Sequence, residues 1–424
     1  MNTVSFIARR VAAAGQPTFS RLIIRIAIVA VALSVAVMIV ATSLIAGFKR
    51  EISEKIFGFW GHIHITKTVQ GRPLVEYKPI SSDQTFYPEL EEVESVSYTS
   101  NAGRRYQSKG GVRQIQAFVL NPGIIKAKEE IEGIILKGVG ADFDWGFLGR
   151  YIKEGKPLNQ TDSTLSREIL ISRQTADRLR VGVGDQFTVY FVQKGEQLRR
   201  RFSISGIYKT GLEEYDQKFA LVDMRVLQQL LGWSPDQVSG FEVLLDDLDD
   251  LEILAEYIYF EELPADLYAE TIREKLPEIF EWLDLQDINE AVIIGLMLVV
   301  AVINMVTALL ILILERTNMV GTLKALGSTN WTIRSIFLYY AAYIIGLGLL
   351  WGNGIGLALC FLQDRFGLIK LDEANYYLSE APIFIAPSTL VLLNLGTLLL
   401  TLAFLILPSW LVTRIEPVKA IRFK

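Results

Sequence analysis

The chain has 424 residues, 51% of them hydrophobic and 21% charged, with one cysteine, a mean hydropathy of +0.32 and a formal net charge of −5. A soluble chain ordinarily carries about 25% charged residues and interrupts its apolar stretches, so this balance excludes a typical cytosolic enzyme. A single cysteine, Cys360, also excludes a disulfide framework.

Arg9, Arg10, Arg21 and Arg25, with no acid among them, lead into an uncharged run of 23 residues, Ile26 to Phe48. About 20 helical residues cross ~30 Å of hydrocarbon, so the run is long enough to span. A cleaved signal has an apolar stretch of ~7 to 15 residues closed by small residues; this run is longer and ends in Gly47 and Phe48, and is expected to remain as an anchor. Residues 1–21 are therefore expected as an N-terminal segment and 22–47 as the first transmembrane helix. Phe48, Ile52, Ile56 and Phe59 keep helical spacing, which predicts a stalk continuing past the membrane.

Residues 48–285 read as an α+β domain with flanking stalk helices. Alternation predicts strands at His62 to Thr66, Val93 to Tyr98 and Val112 to Val119, with Asn121, Pro122 and Gly123 as turn punctuation. The second half predicts a strand at Glu168 to Ile171, a helix from Ser172 to Arg180 with Ser172 as N-cap, a turn at Val181 to Asp185 and a strand at Gln186 to Val192. A hairpin at Lys194 to Glu196 then leads to a strand at Arg199 to Tyr208. Phe219 to Val222, a helix from Met224 to Leu231, and Gly240 to Leu245 complete the unit. Pro277 suits the first turn of the second stalk.

Chemistry is sparse in this domain. His62 and His64 lack further ligands at recognisable spacing and read as polar strand residues near the membrane surface. Gly149 and Gly155, followed by Lys156, are one residue too far apart for a nucleotide-binding loop, and Pro157 follows. Asp246 to Asp250 lacks the spacing of a calcium loop and reads as a solvated helix start. Asn159 to Thr161 matches a glycosylation acceptor in form only. No catalytic, cofactor-binding or metal site is expected.

Three further uncharged runs follow: Ala291 to Leu314 (24 residues), Ser335 to Gln363 (29) and Ala381 to Thr413 (33). They are expected as transmembrane helices at 286–314, 335–363 and 384–412, separated by segments 315–334 and 364–383 and followed by a tail at 413–424. Together this predicts an α-helical membrane protein with four transmembrane helices and an α+β extracytoplasmic domain inserted between helices 1 and 2. The head, the 315–334 link and the tail carry +4, +2 and +3, against −12 for residues 49–290 and −2 for the second link. Short loops rich in Lys and Arg stay inside, which predicts cytoplasmic termini.

In the 315–334 link, Met319, Val320, Leu323 and Leu326 form the apolar stripe of a short amphipathic helix closed by Gly327. It reads either as a lipid-surface helix or as one docking into a cytoplasmic partner. In the third span Gly348, Gly352 and Gly356 repeat every four residues, with Gly346 and Gly354 nearby, a bare face that admits a close helix. Packing inside one chain and dimerisation both account for it. Asn304 and Asn353 sit within spans, where an amide needs a partner. The spans carry no mid-membrane charge, which argues against a proton- or sodium-coupled carrier.

With these residues in view, the chain resembles the lipoprotein-releasing ABC permeases of Gram-negative inner membranes (the LolC/LolE kind), within the FtsX-like and MacB-type permease group. The resemblance rests on Gly47 to Gly58, on Glu168 to Asp185 with Phe202 to Asp216, on Lys324 to Gly327 with Ile333 and Phe337, and on Glu416 to Arg422. It implies a non-catalytic subunit of the inner membrane whose ATP-Mg is bound by a separate cytoplasmic ABC ATPase. It implies coupling through Met319, Val320, Leu323, Lys324, Leu326 and Gly327, and a homodimer or a pair with a sister permease. Acylated lipoproteins would enter between the first and second spans and pass to a periplasmic chaperone. Nucleic acid is not an expected partner. The chaperone-recruiting member carries a long loop where this chain has only Gln193 to Gln197, so recruitment is not implied here. A mechanotransmission permease acting on a cell-wall hydrolase, and an efflux permease, are the alternatives.

Overall fold

A computed structural model describes residues 19–67, 78–99, 103–127, 130–160, 165–193 and 196–415. The Glu416 to Arg422 motif, most of the N-terminal segment and Lys194–Gly195 lie outside the described residues. The chain divides into two compact units, one of residues 1–51, 281–370 and 380–424, the other of residues 52–280 and 371–379.

Four helices in the first unit are long and apolar enough to cross a membrane. In hydrocarbon no water satisfies the backbone, so a spanning segment must close its own hydrogen bonds as a helix. They are α1 (Phe19–Trp60), α2 (Pro277–Glu315), α4 (Asn330–Phe366) and α5 (Pro387–Ser409), and between α2 and α4 lies the short α3 (Thr317–Ala325). α1 runs unbroken for 42 residues, and α2 begins at Pro277. Thr329 caps α4 by accepting from the Thr332 amide, and Gly367 ends it in the left-handed region (φ +54°).

The second unit is built on a ten-stranded mixed sheet of β1 (Ile63–Lys67), β2 (Val112–Ala127), β3 (Glu130–Val139), β4 (Ile152–Gly155), β5 (Glu168–Ser172), β6 (Gln186–Gln193), β7 (Glu196–Tyr208), β8 (Phe219–Asp223), β9 (Gly240–Leu245) and β10 (Leu267–Thr271). The strand order is β10-β1-β9-β2-β3-β8-β5-β7-β4, with β6 paired to β7 and to the far end of β2. The pairs β3–β8 and β5–β7 are parallel. Helices Arg173–Leu179 and Met224–Leu231 start on the caps Ser172 and Asp223. Each places an apolar face into a core that holds Leu179, Tyr208, Leu221 and Leu227.

Three expectations in this unit are corrected. Asn121, Pro122 and Gly123 do not turn; β2 continues through them, with Pro122 opposite Ile135 of β3. The Leu120 amide points away from β3, to Ser239, and Pro122, two residues on, turns its proton-less nitrogen the same way. Neither β9, which ends its pairing at Phe118, nor β6, which begins at Ile124, pairs with β2 there. The missing donor is therefore harmless. Of the expected Val93 to Tyr98 strand only Ser97 and Tyr98 are in a strand, Ser97–Thr99, paired with Arg105–Gln107. Val93 instead crosses Gly111, where a side chain would meet its carbonyl oxygen at 1.7 Å. Finally, the Asp246 to Asp250 cluster is not a simple solvated helix start. Asp250 is buried and accepts the Lys109 and Gly110 amides, and Asp246 accepts that of Gly111.

Candidate functional site

α3 ends as its sequence predicts. Gly327 sits at φ +87°, its amide donates to the Lys324 carbonyl, and the Ser328 amide donates to that of Leu323. Those two bonds close the terminal carbonyls in the Schellman manner. The apolar stripe, however, faces its own chain. Val320 is fully buried, and Met319 and Leu323 pack on the helical core, whereas Leu326 is 78% exposed. The Lys324 ammonium donates to the carbonyls of Val412 (2.8 Å), Thr413 (3.2 Å) and Ile415 (2.9 Å), the open end that follows α5. Its charge thereby meets the negative end of a helix. Of the six residues expected to couple, Val320 and Lys324 are engaged within the chain, while Leu326 and Gly327 lie on the surface.

The three glycines of α4 meet α1. A side chain at Gly348 would collide with Val31 (2.6 Å) and at Gly352 with Val35 (2.7 Å) and the Ala32 carbonyl (2.8 Å), and one at Gly356 would press tightly on Ile39 (3.1 Å) and Ala36 (3.2 Å). Gly346 and Gly354 have no neighbour within 4 Å. The bare face thus accepts α1 of the same chain. On the opposite side of α1, Leu22, Ile26, Val29, Leu33 and Val37 are exposed, and on α2 Ile288, Val292, Leu296, Val299 and Ile303 are exposed. Asn353 and Asn394 exchange amide hydrogen bonds between α4 and α5, at 2.6 and 2.9 Å, so each satisfies the other away from water. Half-buried Asn304 on α2 has no such bond among the described residues.

In the second unit the structure gathers a buried polar group that the sequence reading missed. The β1–β9 register sets His64 opposite Glu242, and the β9–β2 register sets Glu242 opposite Gln116. Lys137, 1% exposed, lies 2.7 Å from Glu242 Oε1 and 3.0 Å from Oε2; the hydrogen-bond angles favour Oε2. Gln116 donates to the same oxygen, and Lys137 also donates to the Phe59 carbonyl at the end of α1. His64 holds the neighbouring Trp60 carbonyl through Nε2–H and accepts from Lys275 at Nδ1 (2.6 Å). Burial, then the adjacent Lys275, keeps its pKa well below the ordinary histidine value, so the ring is neutral. His62, lowered to about 3 by burial and then by Arg113, accepts the Leu245 amide. Both histidines are buried, and His64 lies within β1. The available signal was a lone charge among apolar neighbours, Lys137 after Ile134, Ile135 and Leu136, and Glu242 after Phe241.

These arrangements grip helix ends and seat helices. Residues 26–258, more than half of the chain, match the family described as MacB-like periplasmic core domain, and residues 291–417 match the FtsX-like permease C-terminal family. The chain belongs to the FtsX/MacB-type ABC permeases. It is a multi-pass transmembrane permease of a type VII ABC transporter with an extracytoplasmic domain. Members of this family are typically non-catalytic membrane subunits, and an ABC permease implies a partner ATPase. Among curated relatives it is similar to the lipoprotein-releasing system transmembrane protein LolE of Haemophilus influenzae, 24% identical over 86% of this chain and 84% of that one. It is similar also to the corresponding LolC proteins of Xylella fastidiosa (22%, over 94% and 93%) and Neisseria meningitidis serogroup B (22%, over 96% and 95%). Among solved structures it matches the extracellular domain of the noncanonic ABC-type transporter YknZ, at 14% identity and a TM-score of 0.32, over 49% of this chain and 98% of that one.

Proposed function

We propose that this permease couples ATP hydrolysis by a separate ABC ATPase to the release of lipoproteins from the inner membrane, with its termini cytoplasmic and its sheet domain periplasmic. The observation that carries the reading is the pair of uncovered, charge-free apolar stripes on α1 and α2. Lipid-modified cargo needs such a surface, because an acyl chain gains about 0.8 kcal/mol for each buried methylene. The relatives whose names speak of lipoprotein release match over nearly the whole length, which supports the same cargo. ATP and its magnesium belong to the partner in this reading, and a second copy or a sister permease completes the transporter.

Depletion of the chain is expected to leave outer-membrane lipoproteins in the inner membrane on fractionation, and an unchanged distribution would sink the proposal. Photocrosslinking from Val29 or Leu33 is expected to capture acylated protein; a permease that only transmits force to a periplasmic enzyme captures none. For coupling, the outward Leu326 is the residue to change. Leu326→Asp is expected to lower ATPase stimulation at least tenfold with membrane insertion intact, read by ATPase assay with the copurified partner.

A further inference from the structure

Between α4 and α5 an open groove of about 430 Å³ is lined by Ser335, Leu338, Tyr339, Leu399, Leu402 and Ile406, with Ala342 and Ala403 on its walls. Its walls are hydrocarbon except for the Ser335 and Tyr339 hydroxyls. Arg334 stands at one end. Its Nε donates to Ser409 Oγ and its Nη2 to the Ile406 carbonyl, both at 3.2 Å, so the guanidinium is fixed across the two helices. Among the described residues no carboxylate lies within salt-bridge distance of it, and none of its recorded contacts uses Nη1. A guanidinium stays charged at any physiological pH and presents paired donors that match a phosphate.

The surroundings give the depth of this end. Trp331 (64% exposed) lies under Arg334 and Trp410 (58%) under Arg414, the cations 5.9 and 5.6 Å from the ring centres. Exposed tryptophans with arginines mark the level of lipid headgroups. The groove therefore runs from headgroup depth into the hydrocarbon, with a positive charge at its mouth and an apolar floor.

We propose that this groove is a binding site for one anionic phospholipid, its phosphate on Arg334 and one acyl chain between α4 and α5. The charge selects an anionic headgroup over a zwitterionic one, and the brace to Ser409 and Ile406 holds the guanidinium ready for it. The site does not depend on the nature of the transported cargo.

The test uses the full chain in mild detergent, titrated with phosphatidylglycerol or phosphatidylcholine, with bound lipid counted by native mass spectrometry. Wild type is expected to retain one phosphatidylglycerol that Ala403→Trp, which fills the groove without touching the charge, has lost. Arg334→Gln is expected to reduce the preference for phosphatidylglycerol about fivefold, the effect of one cation near a membrane surface. Arg334→Lys, which keeps the charge, is expected to retain the preference and serves if the Gln variant does not fold. Equal lipid retention in wild type and Ala403→Trp overturns the proposal. Displacement of the lipid by inorganic phosphate alone also overturns it, since the site would then read a free anion. So does disulfide capture of a second copy through Ala403→Cys, since another helix would then fill the groove.

Discussion

The helical unit and the sheet unit face the same problem, closing backbone around an interior, with opposite materials. At the α1–α4 seam the helical unit removes side chains: Gly348, Gly352 and Gly356 let Val31, Val35 and Ile39 approach to contact, and the outer faces stay apolar. Around its central strands the sheet unit adds charge, burying Lys137 and Glu242 at 1% exposure each among Phe59, Trp60 and Phe143. Water explains the difference. Lipid tails are as apolar as leucine, so spans gain by close fit and lose by carrying unpaired polar groups. A domain in water gains by apolar burial anyway, and can carry a buried ion pair provided each member keeps its partner.

Breaking that pair gives the largest expected effect. Lys137→Met leaves Glu242 charged and buried, which costs about 3–5 kcal/mol, and the unfolding midpoint of the detergent-solubilised chain should fall accordingly. Replacing both members, Lys137→Met with Glu242→Leu, should recover part of the loss; no recovery would mean that the Phe59 carbonyl, not Glu242, is the partner that matters.

The seam comes next. Gly352→Leu drives a side chain into Val35 and the Ala32 carbonyl, an overpacking worth roughly 1–3 kcal/mol. Gly354→Leu, two residues along where nothing lies within 4 Å, should be neutral or slightly stabilising because leucine favours the helix. Equal behaviour of the two variants in thermal unfolding would dissolve the distinction between the seam and the open face.

The smallest effect is a pH dependence confined to the sheet unit. His62 is held near 3 in the fold against an ordinary 6.5. Above pH 6.5 neither state binds the proton and the contribution is complete. Between 6.5 and about 3 only the unfolded chain does, so stability falls with pH at up to about 1.4 kcal/mol per unit. His64, also held neutral by burial, adds a like slope, so His62→Asn, which keeps an acceptor for the Leu245 amide, should remove about half of the pH dependence of the unfolding midpoint measured between pH 7.5 and 5.5.

Much of this was legible where one local rule decided the outcome. Uncharged length marked the four spans, Ser172 marked a helix start, and Gly327 marked a helix end. Legibility failed where a neighbour far along the chain decided. Asn121 to Gly123 carry turn chemistry, but the gap on one side of β2 lets the strand continue. The Met319 to Leu326 stripe announced an amphipathic helix, and periodicity alone does not say whether its apolar face meets a partner, lipid or its own chain; the burial of Val320 in the helical core and the Lys324 bonds to the residues after α5 answer that. The row of His64, Glu242 and Gln116 exists only once the strand register is fixed, because those residues lie 52 to 178 positions apart.

The Lys324 tie also bears on the order in which the chain is made. The lysine precedes its carbonyl acceptors by 88 to 91 residues, so during synthesis it emerges well before the last span enters the bilayer. Its positive charge waits where the fourth helix must end, and the final insertion step completes on an anchor already laid down.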